Sequence, residues 1–292
     1  MEIRQLHYFM AVCEEMHFTK AAEKIGVSQP TLSQQIRALE DELTIPLFDR
    51  IGKKIALTEA GELLFKYGTE IMDTLQNVKD SIADLRHMQS GTLRLGIMPS
   101  DLDYRITQLV IDFHREYPNV KLMVIASIAI EAQVLESEVD IGIGTNVLPD
   151  ERLVTIPLCT EEYVLTVSEK HHLADRTSVT IDELKDLPMV IYPEGFMGRE
   201  IVEETVRRHG FRLNSILETS SATSILNLVR ANIGATVQPE PLIRQMGDPS
   251  LRTIRIEDHP PSRSLSIIYR HDRYVTQAAK AFMEQIKRFF QG

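Results

Sequence analysis

One stretch of this chain carries side chains suited to reading a nucleic acid. Ser28, Gln29, Thr31, Ser33, Gln34, Gln35 and Arg37 share the polar side of a segment. Its apolar residues, Leu32, Ile36, Leu39 and Leu43, recur at helical steps. Glutamine can bond adenine twice, serine and threonine reach bases or phosphates, and arginine reads guanine or holds phosphate. Further along, Arg50, Lys53 and Lys54 cluster at a glycine-containing tip between two short apolar runs. Such a basic hairpin is suited to lie along a phosphate backbone.

The elements that would position these groups are legible around them. Ile3, Leu6, Phe9, Met10 and Cys13 form one face of a first helix. Phe18, Ala21, Ala22 and Ile25 form a second, with Thr19 as its expected cap and Gly26 just past its end. Ser28 opens the third as N-cap with Pro30 in its first turn, and Pro46 stops it. Two short helices joined by Gly26-Val27-Ser28 match a helix–turn–helix. A generic three-helix domain with a polar face is the other reading of this pattern. Residues 1–58 hold seven Lys/Arg against eight Asp/Glu, so any pull on DNA requires cations segregated to one face.

Thr58 begins a long helix that should reach about Met88. Its apolar positions Leu64, Tyr67, Ile71, Leu75, Val78, Ile82 and Leu85 cover 21 residues in six steps, the 3.5-residue period of a coiled coil. That stripe needs a partner: most simply a second copy, otherwise the C-terminal part of the chain. Gln89-Ser90-Gly91 then breaks the helix. Beyond it, strands expected at 92–98, 120–126, 141–143, 163–167, 189–192, 215–218, 235–237 and 264–269 alternate with helical stretches. The alternation predicts βαβ units in two successive series, hence two α/β lobes with a cleft between them.

Composition bounds the rest. The chain has 292 residues, 43% hydrophobic and 25% charged, enough for about two domains with real cores. A net charge of −10 argues against a polycation that coats nucleic acid. Apolar runs fall well short of the ~20 residues a membrane-spanning helix needs. The first residues lack a secretory core, so a cytoplasmic protein is expected, with no membrane partner. Cys13 and Cys159 are the two cysteines and frame no disulfide pattern. Gly142-x-Gly144 is a fragment of a dinucleotide fingerprint, and His171-His172 reads as a loop. No catalytic residue, metal site or cofactor is expected.

The run AAEKIGVSQPTLSQQIRALEDELTIPLFDR followed by LTEAG closely resembles the N-terminal winged helix–turn–helix of LysR-type transcriptional regulators. The length, the long helix and the α/β lobes agree with that family over the whole chain. The resemblance implies DNA contacts at Gln29, Pro30, Thr31, Ser33, Gln34, Arg37, Arg50 and Lys53. Gln34 stands where the family often has arginine, and Ile51 where it often has threonine. The long helix looks like the family's linker, which pairs two subunits antiparallel in dimers or tetramers on promoter or operator DNA.

The resemblance also implies a periplasmic-binding-protein-like effector domain. The expected organisation is a winged helix–turn–helix over 1–58, a linker helix over 59–89 and a regulatory domain over 90–292. Lobe I would comprise 92–162 and 268–292, and lobe II 163–267. Helix starts after strands give the expected effector contacts: Pro99, Ser100, Ser127 and Ile128 from lobe I, and Phe196 and Ser221 from lobe II. Hydroxyls and main-chain N–H groups there suit an anion, although Asp101 and Asp103 would repel one if they faced inward. The expected function is a ligand-responsive, sequence-specific transcriptional regulator with a small, anionic effector. The alternative is a constitutive DNA-binding repressor whose α/β lobes serve oligomerisation alone.

Overall fold

A computed structural model describes residues 1–51, 54–86 and 91–291. It divides into two compact units, 1–82 and 83–292. The first unit holds helices α1 (Ile3–Glu15), α2 (Phe18–Ile25) and α3 (Gln29–Leu43), strands β1 (Phe48–Ile51) and β2 (Lys54–Leu57), and the long helix α4 (Glu59–Arg86). Leu6, Phe9, Val12, Ala21, Leu32, Ile36 and Leu39 close one core between the first three helices. Ser28 caps α3 as expected, accepting from the Thr31 N–H at 3.3 Å. The cap of α2 is His17 rather than Thr19: its Nδ1 accepts from the Lys20 N–H. The helix starts one residue before Thr19, which therefore lies inside the first turn.

Two residues of the N-terminal motif lock the hairpin to the helices. The Glu40 carboxylate accepts from the Leu47 and Phe48 N–H groups at 2.7 and 3.3 Å. Gly61 lets α4 cross the chain at Leu47, where an added Cβ would stand 2.2 Å from the Leu47 carbonyl oxygen. Thr58 caps α4, accepting from the Gly61 N–H and donating to the Pro46 carbonyl. Leu64 and Met72 pack on the core of this unit. Tyr67, Ile71, Val78 and Ile82, from the predicted stripe, stand exposed.

The second unit is mixed α/β. Parallel strands β3 (Gly91–Ile97), β4 (Val120–Ala126) and β5 (Ile141–Thr145) alternate with α5 (Pro99–Asp101), α6 (Thr107–Glu116) and α7 (Ile130–Leu135). Next comes β6 (Leu153–Ser168), then β7 (Ser178–Val179), β8 (Pro188–Ile191), α8 (Met197–Arg208) and β9 (Asn214–Glu218). The chain closes with α9 (Ala222–Arg230), β10 (Thr236–Pro239), α10 (Glu240–Met246), β11 (Leu251–Ile256), β12 (Ser262–Arg270) and α11 (Gln277–Gln291). Leu93, Phe113, Ile141, Phe282 and Ile286 centre one core. Leu165, Val179, Ile181, Met189 and Val206 centre a second.

The 16-residue strand β6 serves both lobes. Its first half pairs with β12, and its second half pairs with β10 and β11. The pattern at 163–167 marked this second half alone. Pro157 obscures the first half, because proline cannot donate to a ladder. A register shift between Leu265 and Ser266 accommodates it. Strand β12 enters the lobe I sheet at Ser262, six residues ahead of the expected boundary at 268. Strand β7 and helix α10 also escaped the sequence pattern, each being too short to show a period; β11 escaped it because its buried residues, Leu251, Ile254 and Ile256, do not alternate strictly.

Candidate DNA-reading face and effector cleft

On α3, Leu32, Ile36 and Leu39 point into the core, so the opposite side is available by the helical period. Gln29, Pro30, Thr31, Gln34 and Arg37 are exposed, and Ser33 is half-buried. The Gln29 amide donates to the Ser33 hydroxyl at 2.8 Å, and the Ser28 and Thr31 hydroxyls lie 2.7 Å apart. This polar face is thus pre-ordered by its own side chains. The Arg50 backbone lies in β1, but its side chain and all of Lys53 fall outside the described residues.

In the second unit, a cleft of about 230 Å³ opens between the lobes. Pro99, Ser100, Ile128, Phe196 and Ser221 line it together, from both halves of the unit. Ser127 does not join them: its hydroxyl accepts from the Ala129 N–H and closes a local turn. Tyr192 and Phe196 stack with ring centres 5.5 Å apart, forming an aromatic wall. Ser221 caps α9 by accepting from the Ser224 N–H at 3.2 Å. The Ala222 and Thr223 N–H groups at the start of that helix have no intrahelical acceptor.

The cation of the cleft was missed by sequence reasoning. Arg263 lines it while being 3% exposed. Its guanidinium donates to both Asp101 oxygens at 3.0 and 2.6 Å and to Glu161 at 2.9 Å. Arg105 completes a buried cluster of four charges, donating to Glu161 and lying 3.6 Å from Asp101. Burial alone would lower the Arg263 pKa, but Asp101 and Glu161 outweigh it and hold the pKa above the ordinary arginine range. Two positive and two negative charges cancel, so Arg263 brings little net attraction to the cleft. A signal was present: Arg263 shares strand parity with the buried Leu265 and Ile267, an inward position for a charge. Asp101, feared as a repulsive group, is neutralised in this cluster. Asp103 does line the cleft, at its exposed side.

Both family patterns match this chain. The bacterial regulatory helix-turn-helix protein, lysR family, matches residues 3–62, and the LysR substrate binding domain matches residues 86–291. The chain belongs to the LysR family. It is a DNA-binding transcriptional regulator with an effector-binding domain, and family members are regulators rather than enzymes.

Among relatives, it is 33% identical to the uncharacterized HTH-type transcriptional regulator YwbI of Bacillus subtilis, over 99% of this chain and 97% of that protein. It is 29% identical to a hydrogen peroxide-inducible genes activator of Haemophilus influenzae, over 100% and 99% of the two chains. A full-length OxyR from Pseudomonas aeruginosa superposes with a TM-score of 0.76 at 23% identity, over 100% and 95% of the two chains, which shows a shared fold. No described helix is long and apolar enough to cross a membrane.

The thiols of this LysR protein are poorly activated. Burial, with Glu14 nearby, pushes the Cys13 thiol up to about 12. Burial, with Glu161 next to it, pushes the Cys159 thiol up to about 11. The thiolate is the reactive form, so both should alkylate at least about tenfold more slowly than an unperturbed cysteine at pH 8. Mass spectrometry of iodoacetamide-treated protein, folded against urea-unfolded, checks this. Equal labelling rates would show that the fold does not suppress the thiolates.

Proposed function

We propose that this regulator reads promoter DNA through α3, pairs with a second copy through α4, and changes its DNA geometry when a small molecule occupies the lobe cleft. In this reading 1–58 contacts DNA, 59–89 pairs subunits, and 90–292 senses the effector. The observation that carries the effector part is the convergence of Pro99, Ser100 and Ile128 from one lobe with Phe196 and Ser221 from the other in one cleft. The ligand best suited to it is compact, with an apolar or aromatic body against Tyr192–Phe196 and hydrogen-bonding groups toward Ser100 and Ser221. An anionic group would be held by main-chain N–H groups and hydroxyls, because Arg263 is committed to Asp101 and Glu161.

Selection of duplexes from a random pool by the full-length chain, followed by footprinting with a metabolite panel, tests the reading. A compound that raises the melting temperature should also change the footprint or bend, by population shift between lobe arrangements. Absence of any salt-sensitive sequence preference would overturn the DNA assignment. A compound that binds the cleft and leaves footprint and bend unchanged would overturn the coupling.

Within this reading, Gln29→Ala should cost about 1–3 kcal/mol of discrimination at one base pair. It should leave binding to random DNA nearly unchanged. Titration of the selected duplex against a scrambled one measures this, and equal losses on both would remove Gln29 from base reading.

A further inference from the structure

The helix that leaves β3 is interrupted once. Residues Leu102–Ile106 form a π-turn, in which the Thr107 N–H donates to the Leu102 carbonyl. Such turns are rare within helices and concentrate at functional sites. Tyr104 lies inside this one. Its ring leaves its own lobe and packs against the lobe II cluster that contains Val190, Ile225, Leu226 and Leu242. Its hydroxyl lies 2.7 Å from the Thr223 hydroxyl, in the first turn of α9.

The residues on either side of that hydrogen bond belong to the cleft. Asp103, beside Tyr104, and Ser221 and Ala222, ahead of Thr223, all line it. The π-turn is itself anchored, because Asp101 and Arg105 sit in the buried charge cluster with Glu161 and Arg263. Glu161 lies on β6, the strand that serves both lobes, and Arg263 lies on β12 paired beside it. One part of the segment is therefore held at the crossover while Tyr104 reaches across.

We propose that Tyr104 is a positioning residue that sets the separation of the two lobes at the cleft. The extra residue of the π-turn turns its ring out of lobe I and into lobe II. This rests on the cleft being the effector site. A ligand seated against Asp103 or Ser221 touches the two segments that the Tyr104–Thr223 hydrogen bond joins, so occupancy and lobe separation are coupled.

Hydrogen–deuterium exchange of the full-length chain tests the contact. Tyr104→Phe keeps the ring and removes the hydroxyl. Exchange at 102–106 and 222–225 should rise by about three- to tenfold, with other segments unchanged. Thr223→Val should do the same, and the double variant should add nothing beyond either single change. On a promoter fragment selected by the wild-type chain, Tyr104→Phe should keep affinity within about twofold. It should shift effector-independent promoter output by at least about threefold.

Unchanged exchange in both single variants, full additivity, or a uniform rise along the chain overturns the cross-lobe contact. Altered exchange with unaltered output overturns the positioning role. If the wild-type chain selects no DNA, the function proposed above fails, while the exchange measurement still decides the contact.

Discussion

Arg263→Ala is expected to destabilise residues 83–292 by about 3–5 kcal/mol, the cost of removing one partner from a buried ion cluster. Asp101 and Glu161 would remain buried with Arg105 as their charged partner, leaving one uncompensated negative charge in the protein interior. Against a typical total of ~5–15 kcal/mol, that loss puts much of the unit near unfolding at 37 °C. Urea melts of both proteins under one set of conditions measure it. A deficit below about 1 kcal/mol would show that the four charges do not act as a unit. Arg263→Lys keeps the charge and loses the two-pronged geometry, so it should fall between.

Tyr67→Glu with Val78→Glu is expected to convert the protein from an assembly to single chains and to weaken promoter binding by about 100-fold or more. Both positions are half exposed in the isolated chain, so the changes should leave its own core intact. Two linked reading heads bind one duplex far more tightly than either alone, because the second contact is intramolecular. Separating the subunits removes that gain without touching α3. Sedimentation velocity at micromolar concentration reads the assembly, and titration of a selected duplex reads the affinity. An assembly that survives both charges would place the pairing surface elsewhere. Leu64 is the wrong probe for this purpose, since it packs on the core of its own unit.

The DNA-reading half of the molecule was the more legible. Ser28, Pro30, Gly26 and the stripe Leu32–Ile36–Leu39 encode helix ends and a buried face through local rules, and the fold obeys them. The error at Thr19 is a shift of two residues at a helix start, where either side chain has the chemistry to cap. The effector half was legible as alternating elements and illegible as a surface. Pro99, Ser100, Ile128, Phe196 and Ser221 were found because helix starts after strands face the cleft. Ser127 sits at the same kind of position, yet its hydroxyl turns to the Ala129 N–H, a local choice no periodicity encodes.

The order of helices and strands, the polar face of α3, the capping residues and the apolar stripe of α4 were set by residues near one another in sequence. Their causes are local: helical period, side-chain hydrogen bonds to nearby main chain, and the conformations glycine and proline permit. Arg263 with Asp101, Glu161 with Arg105, and Tyr104 with Thr223 were decided only by the tertiary fold. These partners lie 56 to 162 residues apart, save Asp101 and Arg105 on one helix. A buried charge is tolerable only where distant strands deliver its counter-charge. Their register, and with it the chemistry of the cleft, exists once both lobes are packed.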